Sequence, residues 1–361
     1  MSIRALILFT LCGLLTPGAL LPNRATAEQP PAMEVETRDD VAVRPQRKPG
    51  LRIQSRYEDN PWRTQYAVYP IKGHEVELRV RHKEAENIRW YLIFADITKL
   101  YNNANPLGTP NAYAWRGIDP IDYYRVEIPA ARGRRVMDPV AVLPPMIRAI
   151  KAWFERDGDR YETRFYNATV GTFWFQVEAD VNAAPFRSLG IEDLTPKGIS
   201  PKVFRLSIRE DDGYLGWVTS LYNVPGVFGS VLYQSRHYIG ADCADLLMSA
   251  WSKWRHRRLD KNYNVQMLLT KFRQVKAFRI DRGKPDVELK WNSVVKAGDM
   301  IAVRYGDYGK KFHHIGALYQ DKNGNGILDS ADLVLHAGPE PLHLSPLAEG
   351  GFDGHIIVLR P

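Results

Sequence analysis

Hydrophobic and polar residues alternate along much of the first half of the chain. This alternation, which is typical of half-buried strands, occurs in residues 76–82, 88–94, 122–129, 162–169 and 172–181. One stretch differs, because apolar residues from Met146 to Phe154 recur at helical spacing between Pro144 and Gly158. Residues 56–200 are therefore predicted to form a mainly-β, sandwich-like domain with one helix.

The second half has the opposite order of elements. Helical spacing comes first, in residues 242–258 and 264–278, and four short apolar strands follow, in residues 299–306, 314–320, 333–338 and 355–360. Helices that precede an antiparallel sheet indicate an α+β domain, which is predicted to span residues 201–361.

The N-terminus has the pattern of an export signal. Arg4 precedes an apolar stretch, residues 5–21, and Ala25-Thr26-Ala27 offers a small-x-small cleavage site. Pro17 interrupts the apolar stretch before the roughly 20 residues that a membrane-spanning helix needs, so a signal peptide over residues 1–27 is favoured over an anchor. We expect an exported protein of the periplasm or cell envelope with no transmembrane segment after cleavage.

Residues 28–55 are rich in proline and charge and poor in aromatic residues, which predicts a disordered tether. The formal net charge of the whole chain is +8, and this basic excess suits an anionic envelope. Nucleic acid is not expected as a partner.

The chain contains two cysteines, and cleavage after Ala27 would remove Cys12 and leave only Cys243. A single thiol in an exported protein indicates a reactive group or an intermolecular bridge, with a buried structural cysteine as the alternative. Asp242 is a natural N-cap, which places Cys243 at the first helical position. The helix dipole and free N–H groups there are expected to stabilise a thiolate and lower its pKa.

A cysteine nucleophile needs an imidazole base and a third group that orients it. His313, His314 and His336 lie on the C-terminal strands, and strand alternation would bring His314 and His336 together while His313 points to the opposite face. A zinc site drawn from Cys243, these histidines and His343 is a less favoured alternative, because adjacent histidines on a strand rarely share one ion.

The order of four segments carries a family resemblance: "GADCADLL", "KAGDMIAVRYG", "HIGALYQ" and "LVLHAGP". Together they resemble the NlpC-type cysteine peptidases, a papain-like group that cuts peptide bonds in bacterial peptidoglycan. The resemblance implies a papain-like fold for the C-terminal domain, with Cys243 as nucleophile, His314 as base and His336 as the orienting residue. A tyrosine upstream of the cysteine often assists the oxyanion site in this family, which implies Tyr233, with Tyr238 as the second choice.

The chain departs from the family pattern in two places. The family usually has Ser-Gly after the cysteine, whereas Ala244-Asp245 stands here and brings a negative charge close to the thiol. The two histidine motifs are also separated by an inserted segment, "DKNGNGILDSAD".

This insertion has the ligand spacing of an EF-hand calcium loop. The oxygen ligands would come from Asp321, Asn323, Asn325, Ile327, Asp329 and Asp332. Gly326 stands at the sixth position, where such loops turn sharply. The spacing predicts a structural Ca²⁺, and the alternative is an ordinary hairpin turn rich in Asn and Gly.

Together these observations predict an exported cysteine hydrolase that cleaves peptide or amide bonds through a Cys-His-His triad. The expected substrate is the stem peptide of peptidoglycan, and no organic cofactor is required. Two alternatives stay open: a Cys-dependent acyltransferase with the same residues, and a non-catalytic envelope-binding module on the same scaffold.

Overall fold

The structure is a computed structural model that describes residues 33–156, 162–306, 309–338 and 340–361. The signal peptide predicted for residues 1–27 lies outside these ranges. Strands predominate over helices in the described residues, and the fold is of mixed α+β class, as the sequence predicts.

The strands of the first half are short except for two. They are Val35–Glu36 (β1), Lys48–Pro49 (β2), Ile53–Tyr57 (β3), Ala67–Val68 (β4), Val76–Val80 (β5), Ala85–Ala95 (β6), Tyr101–Asn102 (β7), Tyr123–Glu127 (β8), Val136–Met137 (β9), Gly171–Val181 (β10), Ala184–Arg187 (β11), Leu194–Thr195 (β12) and Gly198–Ile199 (β13). Those that follow are Phe204–Ile208 (β14), Val227–Phe228 (β15), Arg273–Asp281 (β16), Lys284–Pro285 (β17), Met300–Arg304 (β18), His314–Gln320 (β19), Leu333–His336 (β20), His343–Pro346 (β21) and Gly354–Arg360 (β22).

The described helices lie mostly in the second half. They are Arg38–Ala42 (α1), Pro139–Glu155 (α2), Tyr214–Thr219 (α3), Leu232–Arg236 (α4), Cys243–Trp254 (α5) and Val265–Lys271 (α6), with 3₁₀ turns at Pro129–Ala131 and Glu162–Phe165. None of the described helices is long and apolar enough to cross a lipid bilayer.

The first large sheet is built around β6 and β10. Its strand order is β1-β8-β6-β10-β11-β2, and β14 and β4 extend it from β10. Both faces of β10 are buried almost throughout, although the strand contains the charged residue Glu178. Arg125 on β8 is buried beside Glu178, and a guanidinium–carboxylate contact of 2.9 Å neutralises both charges.

The segment predicted to be a disordered tether contributes two strands, β1 and β2, to this sheet. β1 pairs with β8 and β2 pairs with β11, while α1 begins with a capping box between Thr37 and Asp40. Glu36 binds the buried Arg125 at 2.7 Å. The prediction of disorder is thus corrected for residues 33–55, because charge that reads as solvated in the sequence is paired inside the fold.

Two other local predictions are corrected. The helix predicted to begin at Pro144 begins at Pro139, because Asp138 caps it by accepting hydrogen bonds from Val140 N and Ala141 N. Residues 162–169, predicted as a strand, form a 3₁₀ turn followed by a loop, in which the Asn167 side chain accepts from Thr169 N and Val170 N.

The second large sheet contains the predicted C-terminal strands and has the order β17-β16-β22-β18-β19-β20-β21. The strands from β16 to β21 in this order are antiparallel to their neighbours, and α5 packs against β19. The second predicted helix is corrected, since α6 ends at Lys271 and residues 273–281 pair with β22 as β16.

The two sequence blocks are joined closely. β14, which follows the predicted boundary at residue 200, pairs with β10 of the first sheet, and β7 pairs with β15 of the second block. One cluster of buried apolar residues includes side chains from both blocks, and residues 33–361 form one compact unit.

Candidate active site

Cys243 is the first residue of α5, as the sequence predicts. The Asp242 side chain caps the helix by accepting a hydrogen bond from Asp245 N at 2.9 Å, which fixes the backbone at the thiol. The thiol is partly buried. A Cβ built on Gly338 would lie 3.8 Å from Cys243 Cβ and 3.8 Å from His314 Nδ1, so the thiol residue and the imidazole adjoin the same glycine.

His314, His336 and Ser345 form a hydrogen-bonded row across three neighbouring strands. His314 Nε2 lies 3.0 Å from His336 Nδ1, and His336 Nε2 lies 2.7 Å from Ser345 Oγ. All three side chains are buried. If His314 Nε2–H donates to His336, its Nδ1 faces the Cys243 side with a free lone pair, which is the tautomer that a general base requires.

Gly316 makes this row sterically possible. It stands opposite His336 in the pairing of β19 and β20. A Cβ at this position would come within 2.7 Å of Val334 Cγ1 and 3.0 Å of His336 Cβ, which is closer than side chains normally approach. Glycine therefore lets the two histidine strands lie close together.

The electrostatics of the site differ from the sequence-based expectation. Burial, and then the charge of Asp242, raise the pKa of the Cys243 thiol, although backbone N–H groups of Ile315 and Ala244 act in the opposite direction. Burial, and then His343, lower the pKa of His314 to about 4. The expected lowering of the thiol pKa is thus corrected, because removal from water outweighs the helix terminus, and the pair is neutral at rest.

Asp245 is a structural carboxylate of helix α5. It is almost completely buried, with Oδ2 accepting from Ser230 Oγ at 2.8 Å and Oδ1 from Tyr263 N at 3.2 Å. Ser230 Oγ in turn accepts from Asp242 N at 3.0 Å. Asp245 therefore ties two loops to the start of the helix that carries Cys243.

Within the described residues, no contact is found between the histidine row and either tyrosine inferred from the family resemblance. The Tyr233 ring packs against His237, 4.9 Å between centroids, and Lys197 Nζ lies 4.7 Å above it. Tyr238 is buried in the core, where its hydroxyl contacts Ser220 Oγ at 3.0 Å. Tyr238 is corrected to a core residue, because its hydroxyl is already hydrogen-bonded away from the thiol.

Two further residues lie at the site, of which Ser345 was not singled out from the sequence and His343 was considered only as a ligand of the alternative zinc site. Ser345 and His343 lie on β21, and His343 stands directly opposite His336 with 4.2 Å between ring centroids. The alternating segment "HLSP" contains the only signal for them, since residues 343 and 345 share one strand face.

A second pair of tyrosines contacts His313. Tyr113 lies outside the predicted motifs, whereas Tyr305 lies within "KAGDMIAVRYG". Tyr113 Oη lies 2.7 Å from His313 Nδ1, and the ring of Tyr305 is parallel to His313 at 5.9 Å. Burial, and then the nearby Cys243, raise the pKa of both tyrosines. No sequence pattern connects Tyr113 with residues 200 positions later in the chain.

The loop predicted to bind calcium connects β19 to β20, the two histidine strands. Asp321 accepts from Gly324 N and Gly326 N, each at 2.8 Å, and Gly326 has φ +76°. Asp332 is buried, and its Oδ2 accepts from Trp291 Nε1 at 2.8 Å. The oxygen donors are of the kind that Ca²⁺ prefers, but part of the set is engaged in internal hydrogen bonds.

Within the described ranges, no three or more His, Cys, Asp or Glu side chains are grouped so that they could hold a metal ion. Calcium binding at residues 321–332 stays a prediction. In comparisons with known proteins, no family model, no curated protein and no solved structure matches this chain.

Proposed function

We propose that the protein is a cysteine hydrolase of peptide or amide bonds, exported by the N-terminal signal and acting on peptidoglycan stem peptides. The observation that carries this proposal is the row of Cys243, His314, His336 and Ser345 on one helix start and three strands. A nucleophile, a base and an orienting group in this order are the components of covalent acyl transfer. The papain-like fold of residues 201–361 belongs to the same proposal.

The proposed reaction begins from a neutral thiol and a neutral imidazole. The Cys243 sulfur bonds to the substrate carbonyl carbon as its proton passes to His314 Nδ1. His336 accepts the N–H from His314 Nε2 and holds the ring in orientation, and Ser345 does the same for His336. His314 then gives the proton to the departing amine, and water resolves the thioester.

The developing oxyanion needs hydrogen-bond donors near the sulfur. The backbone N–H of Cys243 is at the first helical position, where no intrahelical acceptor exists. It is therefore the donor that the fold itself supplies, together with the positive end of the α5 dipole.

A second candidate is a non-catalytic binding module. The specific observation that favours it is the raised thiol pKa, because a desolvated neutral thiol is a weaker nucleophile than a thiolate. In this reading the histidine row stabilises the sheet, and Cys243 contributes only to packing.

The test of hydrolysis is incubation of the full chain with purified peptidoglycan fragments, with mass spectrometry as the readout. New products should form with the wild type and disappear in Cys243→Ala and His314→Gln. His82→Gln, which alters an exposed histidine, is the matched control and should retain activity. Equal product formation by wild type and Cys243→Ala would show that Cys243 is not the nucleophile.

A further inference from the structure

Tyr113 enters the site on a loop from the first half of the chain. The loop between β7 and β8 is anchored to the second half at its start, since Asn103 Nδ2 donates to Gln234 Oε1 at 2.9 Å and to Gly229 O at 3.2 Å. The parallel pairing of β7 with β15 holds the same end. The position of Tyr113 beside the site is therefore fixed by both sequence halves.

The backbone of Tyr113 is strained. Its φ of +67° is in the left-handed region, which a bulky residue adopts only where its surroundings impose it. Tyr113 N donates to Asn105 O at 2.8 Å, and the ring packs 5.7 Å from Phe228. Such strain concentrates at functional sites, where it holds a side chain in a required position.

The side chain of Tyr113 is aligned with His313. The two rings are parallel within 7° at 6.2 Å, and Tyr113 Oη lies 2.7 Å from His313 Nδ1. Because a phenol is the stronger acid and a neutral imidazole the stronger base, the phenolic O–H donates to Nδ1. The Tyr113 oxygen then keeps lone pairs for a further donor, and 48% of the side chain is exposed to solvent.

His313 is the residue before the base His314. The Tyr113 ring packs on Phe228, and Ser230, two residues further along the chain, accepts a hydrogen bond at 3.0 Å from the backbone N–H of Asp242, directly before Cys243. The strand β19 begins at His314, so strand alternation does not direct His313 to the opposite face, and the Tyr113 oxygen is held next to the segments that carry the reacting pair. In a peptide substrate, the carbon next to each carbonyl carries an N–H group that can donate to such an oxygen.

We propose that Tyr113, set by His313, is a substrate-positioning residue whose phenolic oxygen accepts a hydrogen bond from a substrate N–H beside the carbonyl that Cys243 attacks. This role rests on the proposed function, since it requires Cys243 to be the nucleophile. It narrows the substrate class to acyl groups in which the carbon next to the scissile carbonyl carries an N–H, as every peptide residue except proline does.

Two chloromethyl ketones test the proposal without knowledge of the natural substrate. N-acetyl-alanyl chloromethyl ketone presents one N–H next to its carbonyl, and its N-methyl-alanyl counterpart lacks that hydrogen. In each reaction the Cys243 sulfur bonds to the methylene carbon, chloride departs, and the thiol proton passes to His314. The readout is the second-order rate of alkylation of the full chain, followed by intact mass, with the modified residue identified by peptide mapping.

The ratio of the two rates measures the N–H preference. We expect Tyr113→Phe to reduce this ratio by about 2- to 12-fold relative to wild type, the range that one neutral hydrogen bond contributes. The variant keeps the ring and its stacking, so steric effects of the N-methyl group cancel. Tyr66→Phe changes an exposed tyrosine directly before β4; it is the matched control and should retain the wild-type ratio.

A second variant keeps the test decisive if Tyr113→Phe changes the conformation of the loop. His313→Phe keeps a flat ring in the stack and removes Nδ1, so the ratio should fall in the same direction as for Tyr113→Phe. Alkylation of Cys243 with an unchanged ratio in both variants overturns the positioning role alone. No alkylation of Cys243 by either reagent in the folded wild type overturns the proposed function, and the positioning role with it.

Discussion

Replacement of Asp245 by asparagine should stabilise the protein at alkaline pH. Burial raises the pKa of Asp245 to about 6 from an ordinary value of 3.8, although Ser230 and Tyr263 donate hydrogen bonds to it. A carboxyl whose folded-state pKa is raised stabilises the fold fully below 3.8, and this stability is lost as the pH rises through 6. Asparagine keeps the shape and one acceptor oxygen but does not ionise.

The magnitude follows from the separation of the two pKa values. A difference of about 2.2 pKa units lowers the free energy of unfolding of the wild type by about 3 kcal/mol at pH 8, where the carboxylate is charged in both states, relative to a side chain that does not ionise. At pH 4 most of this destabilisation of the wild type has vanished, because the carboxyl is protonated in the folded state and partly protonated in the unfolded state. The free energy of unfolding should therefore change by about 2.4 kcal/mol less in Asp245→Asn than in wild type between pH 4 and pH 8.

Urea unfolding at the two pH values, followed by tryptophan fluorescence, measures this quantity directly. Asp59→Asn is the matched control, because Asp59 is exposed and its substitution should leave the pH dependence unchanged. If the free energy of unfolding changes as much between pH 4 and pH 8 in Asp245→Asn as in the wild type, burial does not raise the pKa of Asp245.

Three further predictions concern the site and the loop beside it. The value of kcat/KM for peptide cleavage should fall on the acid side only near pH 4, because His314 acts as a base while neutral; an acid limb near the ordinary histidine pKa of 6.5 would contradict this. Ser345→Ala should lower kcat about 2- to 10-fold with little change in KM, since it removes the hydrogen bond to His336; an unchanged kcat would show that Ser345 does not orient the row. Calcium at a hundredfold excess over its dissociation constant should stabilise the fold by about 2.7 kcal/mol, so a chelator should lower the Tm and Asp321→Ala should abolish the difference; identical melting with and without chelator would identify the loop as an ordinary turn.

The residues that come together at the site were partly predictable. Asp242 identifies the helix start at Cys243 from local preference alone, and strand alternation places His314 and His336 on one face. Both signals are local, and the resemblance to a known motif order joined them. The contact of Tyr113 with His313 depends on how distant parts of the chain pack, and no local pattern contains that information.

The incorrect predictions have a common physical origin in burial and pairing. Glu36 reads as a solvated charge in a polar segment, but the buried Arg125 binds it and makes that segment part of the sheet. Residues 273–281 have apolar spacing compatible with a helix, but hydrogen bonds to β22 favour a strand. The thiol pKa was misjudged for the same reason, because the sequence shows the helix terminus and not the loss of water around Cys243.

The N-terminal segment forms β1 and β2, which pair with the two outer strands, β8 and β11, of the row β8-β6-β10-β11 in the first large sheet. An exposed sheet edge presents unpaired N–H and C=O groups on which another molecule can add a strand. Here one short stretch of polypeptide covers two such edges, with strands of only two residues each. Shortened versions of the chain should therefore begin at or before Met33, because a start after Glu36 would uncover β8 and a start after Pro49 would uncover β8 and β11 together, leaving two surfaces open to self-association.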